Sequence, residues 1–116
     1  REQVAQSIVT ILENTPDNST FLIENSASLN GKLCSDIRDI RWLIDRVSEI
    51  LQKTKSSVSI SRLGWCLDTC HAHAAGYLLG QSSQQIDSKL LVDEITASNL
   101  WEQLKCIHVN ESKDLF

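Results

Sequence analysis

Apolar residues recur at helical spacing in three segments of the chain. The first predicted helix covers 2–14, and its inward face is formed by Val4, Ile8, Ile11 and Leu12. The second and strongest covers 36–52, with Ser35 or Asp36 as its N-cap, and lines one face with Ile37, Ile40, Leu43, Ile44, Val47, Ile50 and Leu51. The third covers 86–97 and directs three apolar residues inward, namely Ile86, Leu90 and Ile95.

Three short apolar runs that alternate with these helices are typical of β-strands. The predicted strands cover 20–24, 62–68 and 104–109, and the segments 25–35, 53–59 and 69–80 are predicted to be loops. Alternation of helix and strand favours a parallel sheet with right-handed crossovers. Three strands cannot close a barrel. The fold class is therefore α/β, either as a minimal domain or as consecutive βα units of a TIM (β/α)8 barrel, present here as a partial barrel.

Composition and charge narrow the possible functions. The chain has 116 residues, of which 41% are hydrophobic and 22% charged, as expected for one globular domain rather than a disordered tail. Its net charge of -4 argues against a stand-alone nucleic-acid binder and permits a metal site. No apolar run approaches the roughly 20 residues that span a bilayer, so we expect no membrane partner. Four cysteines without a C-x-x-C pair favour reduced thiols and an intracellular setting.

Each predicted strand ends in a side chain that can bind a metal ion: Glu24, Asp68 and His108. The carboxyl ends of parallel strands lie at one edge of a sheet, about 5 Å apart, and barrel enzymes place their chemistry there. Two carboxylates and one imidazole can therefore reach a common cation. The residues two positions earlier point to the same side one layer deeper, which places Leu22, Cys66 and Cys106 beneath the site.

Two further histidines follow the second strand. His71 lies three residues after Asp68 and can hold a second ion nearby or donate a hydrogen bond to a ligand, and His73 can do the same. Zinc or manganese suits this mixture of carboxylate and imidazole. The competing interpretation is structural, because acidic residues at strand ends often cap the next helix. The coincidence of ligand types on three successive strand ends favours the metal site.

Three segments of the chain resemble the endonuclease IV family of zinc-dependent apurinic/apyrimidinic endonucleases. Residues 63–77, Leu-Gly-Trp-Cys-Leu-Asp-Thr-Cys-His-Ala-His-Ala-Ala-Gly-Tyr, closely resemble its most recognisable signature. The segment Ile23-Glu24-Asn25-Ser26-Ala27 is similar to the family's Glu-Asn-Thr-Ala, and residues 107–113, Ile-His-Val-Asn-Glu-Ser-Lys, are similar to its His-Leu-Asn-Asp-Ser-Lys. The chain departs from the family pattern at Ser28-Leu29-Asn30, where the family has Gly-Gln-Gly, at Leu78, and at Glu111 in place of Asp.

The resemblance implies a fold and a set of site residues. It implies that 1–116 is a single partial domain, the middle portion of an endonuclease IV-like TIM barrel that holds up to three ions, usually Zn2+, with Mn2+ as a possibility. Glu24 matches the carboxylate that bridges two ions and is therefore the expected catalytic residue. Asp68 and His108 match ligands of one ion of that pair, and His71 matches a ligand of the third. The remaining ligands belong to segments before and after this chain.

The resemblance also implies an activity and its partners. The family hydrolyses the phosphodiester on the 5′ side of an abasic site through its metal ions. The implied partners are double-stranded DNA with abasic sites and the remaining barrel segments, and the implied location is intracellular, in a bacterial cytoplasm, a nucleus or a mitochondrion. Two alternatives stay open: a metal-dependent sugar isomerase or epimerase of the same fold, and a degenerate, non-catalytic structural or interaction subunit. The run from Asp68 to Tyr77 argues against the isomerase, and the replaced glycines favour the degenerate subunit.

Overall fold

Helices and strands alternate along the chain in the computed structural model, which describes residues 1–27, 32–77 and 85–109, with the backbone alone at 85–88. The helices are α1 (Glu2–Glu13), α2 (Ile37–Lys53), α3 (Thr69–Ala72) and α4 (Gln85–Ala97), and the strands are β1 (Phe21–Glu24), β2 (Leu63–Asp68) and β3 (Leu104–His108). The strands form one parallel sheet in the order β1-β2-β3. The predicted α/β class and parallel sheet are confirmed. None of the helices in the described ranges is long and apolar enough to cross a membrane.

The register of the sheet aligns the carboxyl ends of the strands. Glu24 is paired with Cys66, and Asp68 is paired with His108. An irregularity near the start of the β2–β3 ladder inserts Lys105 between the partners of Trp65 and Cys66. A Cβ on Gly64 would lie 2.6 Å from Lys105 Cγ, so glycine is needed where the bulged strand approaches β2.

The hydrophobic core lies between the sheet and the helices. All seven residues of the predicted α2 face are buried, and Asp36 caps the helix by accepting from the backbone N–H of Arg38. The strands contribute Ile23, Leu63, Trp65 and Leu67 to this core. The Trp65 indole N–H donates to the carbonyl of Leu100 at 2.8 Å, so this fully buried ring leaves no polar atom unsatisfied. Burial of this face holds the strands in register for the site at their ends.

The inward faces of α1 and α4 differ from the prediction. Val4 and Ile11 are about two-fifths exposed, and the buried residues of α1 are Ala5, Ile8, Val9 and Leu12. In α4, Leu90 is half exposed, whereas Leu91 and Ile95 are buried. The side chain of Ile86 lies outside the described residues. Each inward stripe is rotated by about one residue because packing selects the face, and α1 places the small Ala5 inward.

The predicted loop after β2 is helical over its first nine residues. Thr69–Ala72 form α3, and His73–Tyr77 form a π-helical turn that contains Gly76 at φ 111°. The prediction of a loop was wrong here because Asp68 accepts from the backbone N–H of His71 and so starts a helix. The Tyr77 hydroxyl donates to the Glu94 carboxylate and ties this turn to α4.

Arg62 ties the end of α1 to the amino end of β2. It lies in a single 3-10 turn, Ile60–Arg62, rather than in the strand as predicted. Its buried guanidinium donates to the carbonyls of Leu12 and Ser19, both at 2.9 Å, and to Thr15 Oγ1 at 2.8 Å. These acceptors include carbonyls at the end of α1 that the helix itself cannot satisfy.

Replacing Arg62 with Ala should lower the free energy of unfolding by about 3 kcal/mol or more, since several buried acceptors lose a charged donor. Chemical denaturation of the native gene product that contains this chain measures the change. The matched control is Arg46→Ala, whose guanidinium pairs with Glu2 and Glu49 at the surface and should cost clearly less. Equal losses for the two variants would contradict the assigned role of Arg62.

Tyr77→Phe should cost about 1 kcal/mol at neutral pH, because the bond to Glu94 is lost. Burial and the Glu94 carboxylate raise the pKa of Tyr77 above its ordinary value. The native state therefore keeps this proton after the unfolded chain has lost it. The difference between wild type and variant should be constant below about pH 10 and shrink above it. Denaturation midpoints at several pH values check this, and a gap that widens above pH 10 would be the wrong sign.

Candidate metal centre

The structure brings all four sequence-predicted ligands together at the carboxyl edge of the sheet. Glu24 Oε1 lies 3.3 Å from His71 Nδ1 and 3.5 Å from His108 Nδ1. Asp68 Oδ2 lies 3.8 Å from each of the same two nitrogens. The ligand atoms of Glu24, Asp68 and His71 can all be chosen within 4.8 Å of one another, a spacing at which they could hold one ion. We call these four side chains the carboxylate–imidazole cluster; their role as metal ligands stays a prediction.

The members of the cluster differ strongly in burial. The Asp68 side chain is only 6% exposed, whereas Glu24, His71 and His108 are 35%, 39% and 51% exposed. The cluster therefore has a fixed carboxylate at its base and three side chains that reach solvent. A buried carboxylate needs partners, and the imidazoles and a backbone N–H supply them.

Asp68 serves as both a helix cap and a candidate ligand. Its Oδ1 accepts from the backbone N–H of His71 at 2.9 Å, as an N-cap does, while its Oδ2 faces the two imidazoles. The two interpretations that the sequence leaves open therefore use different oxygens of one carboxylate. The cap also fixes the rotamer of Asp68, so the second oxygen is already oriented toward the cluster.

Asn25 positions the cluster, a role that the sequence analysis missed. Its Nδ2 donates to the carbonyl of Asp68 at 3.1 Å, and its Oδ1 accepts from the backbone N–H of Asp68 at 2.7 Å. Its own carbonyl lies 2.8 Å from His71 Nδ1. A proton on Nδ1 would donate there and leave Nε2 free to bind an ion. The available signal was an Asn placed directly after a strand-ending Glu.

His73 does not join the cluster. Its side chain is buried, with only 7% of the residue exposed, and it belongs to neither group of metal-competent side chains found among the described residues. The sequence-based suggestion that His73 could act like His71 is therefore not supported by its position.

A second group of metal-competent side chains lies one layer deeper. Suitable ligand atoms of Cys66, Cys106 and His108 lie within 4.8 Å of one another. Cys66 and Cys106 are register partners on β2 and β3. All four cysteines of the chain are free thiols, and burial together with the neighbouring Cys106 thiol raises the pKa of Cys66 to about 11. The sequence analysis placed both residues beneath the site but gave them only a packing role.

An open cavity of about 520 Å³ adjoins the cluster. It is lined by Glu24, Asn25, Ser26, Ala27, Lys32 and His71. Its volume falls in the range of small-ligand pockets. Ser26 holds the cavity wall, since its backbone N–H donates to the carbonyl of Cys34 at 3.0 Å and its hydroxyl to that of Leu33 at 2.9 Å. The departures from the family pattern at Ser28, Leu29, Asn30, Leu78 and Glu111 lie outside the described residues.

The fold and the cluster together define a class of protein. Carboxylate oxygens and imidazole nitrogens are the ligands that zinc and manganese take in proteins, and the residues present fit such ions. Their position at the carboxyl edge of a parallel sheet is where α/β proteins place ligand sites. The chain is thus an α/β protein with a candidate metal centre at the carboxyl ends of its strands.

Comparison with curated proteins confirms the resemblance that the motifs indicate. The chain is 31% identical over 114 residues to a probable endonuclease 4 of Mycoplasmopsis pulmonis. This alignment covers 97% of the chain and 35% of the relative. It is 30% identical over 112 residues to a probable endonuclease 4 of Phocaeicola vulgatus, covering 97% of the chain and 34% of the relative. An apurinic-apyrimidinic endonuclease of Caenorhabditis elegans is 29% identical over 110 residues, or 95% of the chain and 24% of the relative.

The chain spans about a third or less of the length of the relatives it matches. No protein-family model matches it. The similarity to the two probable endonucleases 4 nevertheless covers 97% of the chain, so it includes the carboxyl ends of β1, β2 and β3 at which the cluster lies. The three relatives bear the names of nucleases, which are hydrolytic enzymes.

Asn25→Ala should weaken zinc binding by about 10- to 100-fold, because Asp68 and His71 lose the group that orients them. Competition with a chromophoric chelator, on the native gene product, measures the affinity. Asn14→Ala is the matched control, since Asn14 is exposed at the end of α1 and its side-chain amide donates to the nearby Thr10 carbonyl. Unchanged affinity in a folded Asn25→Ala protein would remove the positioning role.

Proposed function

We propose that this chain is the central part of an endonuclease IV-type TIM barrel whose complete protein hydrolyses DNA on the 5′ side of abasic sites. One observation carries the proposal: two acidic and two imidazole side chains, predicted from three separate motifs, meet within 3.8 Å at the strand ends. The similarity to proteins named endonuclease 4 supports it over 97% of the chain. The complete protein would be located where its DNA substrate is found, in a bacterial cytoplasm, a nucleus or a mitochondrion.

The residues would divide the metal ligation according to their position. Glu24 Oε1 lies within 3.5 Å of an imidazole nitrogen of both His71 and His108, so this carboxylate would be shared between neighbouring ions. Asp68 and His108 are paired across β2 and β3 and would share one ion, while His71 would serve another from α3. Bound zinc ions supply an activated water and stabilise charge on the phosphate.

The cavity beside the cluster fits a phosphodiester substrate. Lys32 lines the cavity together with Glu24 and His71, so a residue that carries an ammonium group borders the same space as the candidate ligands. An ammonium group pairs readily with a phosphate oxygen. Lys32 would thus hold the backbone of double-stranded DNA beside the candidate metal centre, with the abasic nucleotide turned out of the helix, where lost base stacking makes extrusion least costly.

The open face of β3 supports the proposal that further barrel segments complete the domain. Ile107, on the strand that forms one edge of the described sheet, is 53% exposed, and Val109, which directly follows that strand, is 83% exposed. Apolar groups on an unpaired strand favour association with another strand and a covering helix. We assign 1–116 to a partial domain on this basis, and we propose that the other metal ligands lie in the segments that cover these edges.

Glu24→Gln in the native gene product should reduce cleavage at an abasic site by between about 10²- and 10⁴-fold, because a neutral amide replaces the bridging charge. The assay is a duplex with one abasic site, and the measured quantity is the nick on its 5′ side. Removal of metal with a chelator should have a similar effect, and added zinc should restore the wild type only.

Glu49→Gln is the matched control, because Glu49 is an exposed glutamate of α2 that pairs with Arg46 at the surface. It should cleave like the wild type. A folded wild type that leaves abasic DNA intact when it is supplied with zinc would contradict the proposed function. Turnover of a ketose by that protein would then identify an isomerase, and failure to bind stoichiometric zinc would identify a degenerate subunit.

A further inference from the structure

The group formed by Cys66, Cys106 and His108 has the geometry and chemistry of a separate metal site. The carboxylate–imidazole cluster accounts for His108 but has no use for the two thiols. Ligand atoms around a tetrahedral ion that binds sulfur at about 2.3 Å lie roughly 3.8 Å apart. The three ligand atoms already lie within 4.8 Å of one another, so closure around an ion needs shifts of about 1 Å or less.

The sheet itself fixes this group. Cys106 and His108 are two residues apart on β3 and therefore point to the same face. Cys66 is the register partner of Cys106 on the neighbouring strand, and suitable ligand atoms of Cys66, Cys106 and His108 all lie within 4.8 Å of one another. Although Cys66 is buried, it is not part of the core that packs against the helices. Its thiol is therefore turned to the same side as the cluster rather than used for helix packing.

We propose that Cys66, Cys106 and His108 form a binding site for a thiophilic metal ion such as Cd2+ or Cu+. Thiolate ligands select soft ions over the hard ions that carboxylates prefer. Binding replaces two S–H bonds with two sulfur–metal bonds and releases two protons to solvent. Three protein ligands leave a fourth position of a tetrahedral ion open to water or an exogenous ligand.

The site shares one ligand with the carboxylate–imidazole cluster. His108 Nδ1 lies 3.5 Å from Glu24 Oε1, and the same side chain reaches both thiols. His108 is half exposed, so it can turn toward either group. Occupation of the thiol site would therefore draw His108 away from Glu24 and Asp68.

Titration of the metal-free native gene product with Cd2+ tests the proposal through the ultraviolet thiolate-to-cadmium absorption band. The wild type should show a saturable band that grows up to one equivalent at this site. Cys106→Ala, which removes a partly exposed thiol, should lose about half of that band and bind Cd2+ at least tenfold more weakly. Cys66→Ala should do the same, and circular dichroism establishes that each variant is folded.

Two controls locate the ion. Cys70→Ala should keep the full band, because Cys70 lies on α3 and belongs to neither metal-competent group. Glu24→Gln should also keep it, since Glu24 supplies no ligand here. That variant separates this proposal from the nuclease, whose cleavage depends on Glu24. A band of wild-type size and affinity in folded Cys106→Ala, or its loss in Glu24→Gln, would overturn the thiol site.

Discussion

The pairing of the Asn25 side chain with the backbone of Asp68 is the constraint on which the candidate site depends. A side-chain amide has the same donor and acceptor as a peptide group, and Asn25 uses both on one residue of the neighbouring strand. It thereby extends the β1–β2 ladder one step beyond the last strand residue. Because Asn25 is only 2% exposed, its loss would remove a buried hydrogen-bond partner from both the backbone N–H and the carbonyl of Asp68. Glu24 and Asp68 are held side by side by this bond.

The strand pleat lets the same short strands build both the core and the site. Ile23, Trp65 and Leu67 alternate with Glu24, Cys66 and Asp68, so hydrophobic side chains face the helices and chemically active ones face the other side. A shift of one residue in register would exchange these two faces. Burial of the hydrophobic strand face against α2 therefore fixes the register of the strands. The register in turn maintains the geometry of the cluster on the opposite face.

Much of the fold and of the candidate site was predictable from periodicity and spacing. Each strand and each long helix was predicted within one residue of its observed bounds, and the four residues at the strand ends meet as expected. The prediction that Val4 and Leu90 face inward was wrong, since hydrophobicity alone does not show which side of a helix is covered by a neighbouring element. The prediction of a loop after Asp68 was wrong, because the helix that begins there depends on the Asp68 cap and not on composition. The role of Asn25 required the pairing of two strands, which no local pattern shows.

The position of His108 connects the two metal-competent groups in physical terms. Its main chain is fixed, since its carbonyl accepts from the Thr69 hydroxyl at 3.3 Å and its residue pairs with Asp68. Its imidazole is the most exposed of the cluster and has hard oxygen atoms on one side and soft sulfur atoms on the other. A carboxylate oxygen is a hard donor, whereas a buried thiol becomes a soft donor for a metal ion only when it loses its proton. Hard ions therefore favour the carboxylate–imidazole cluster. The two thiols bind only an ion whose affinity for sulfur is strong enough to compensate for the free energy of deprotonating them.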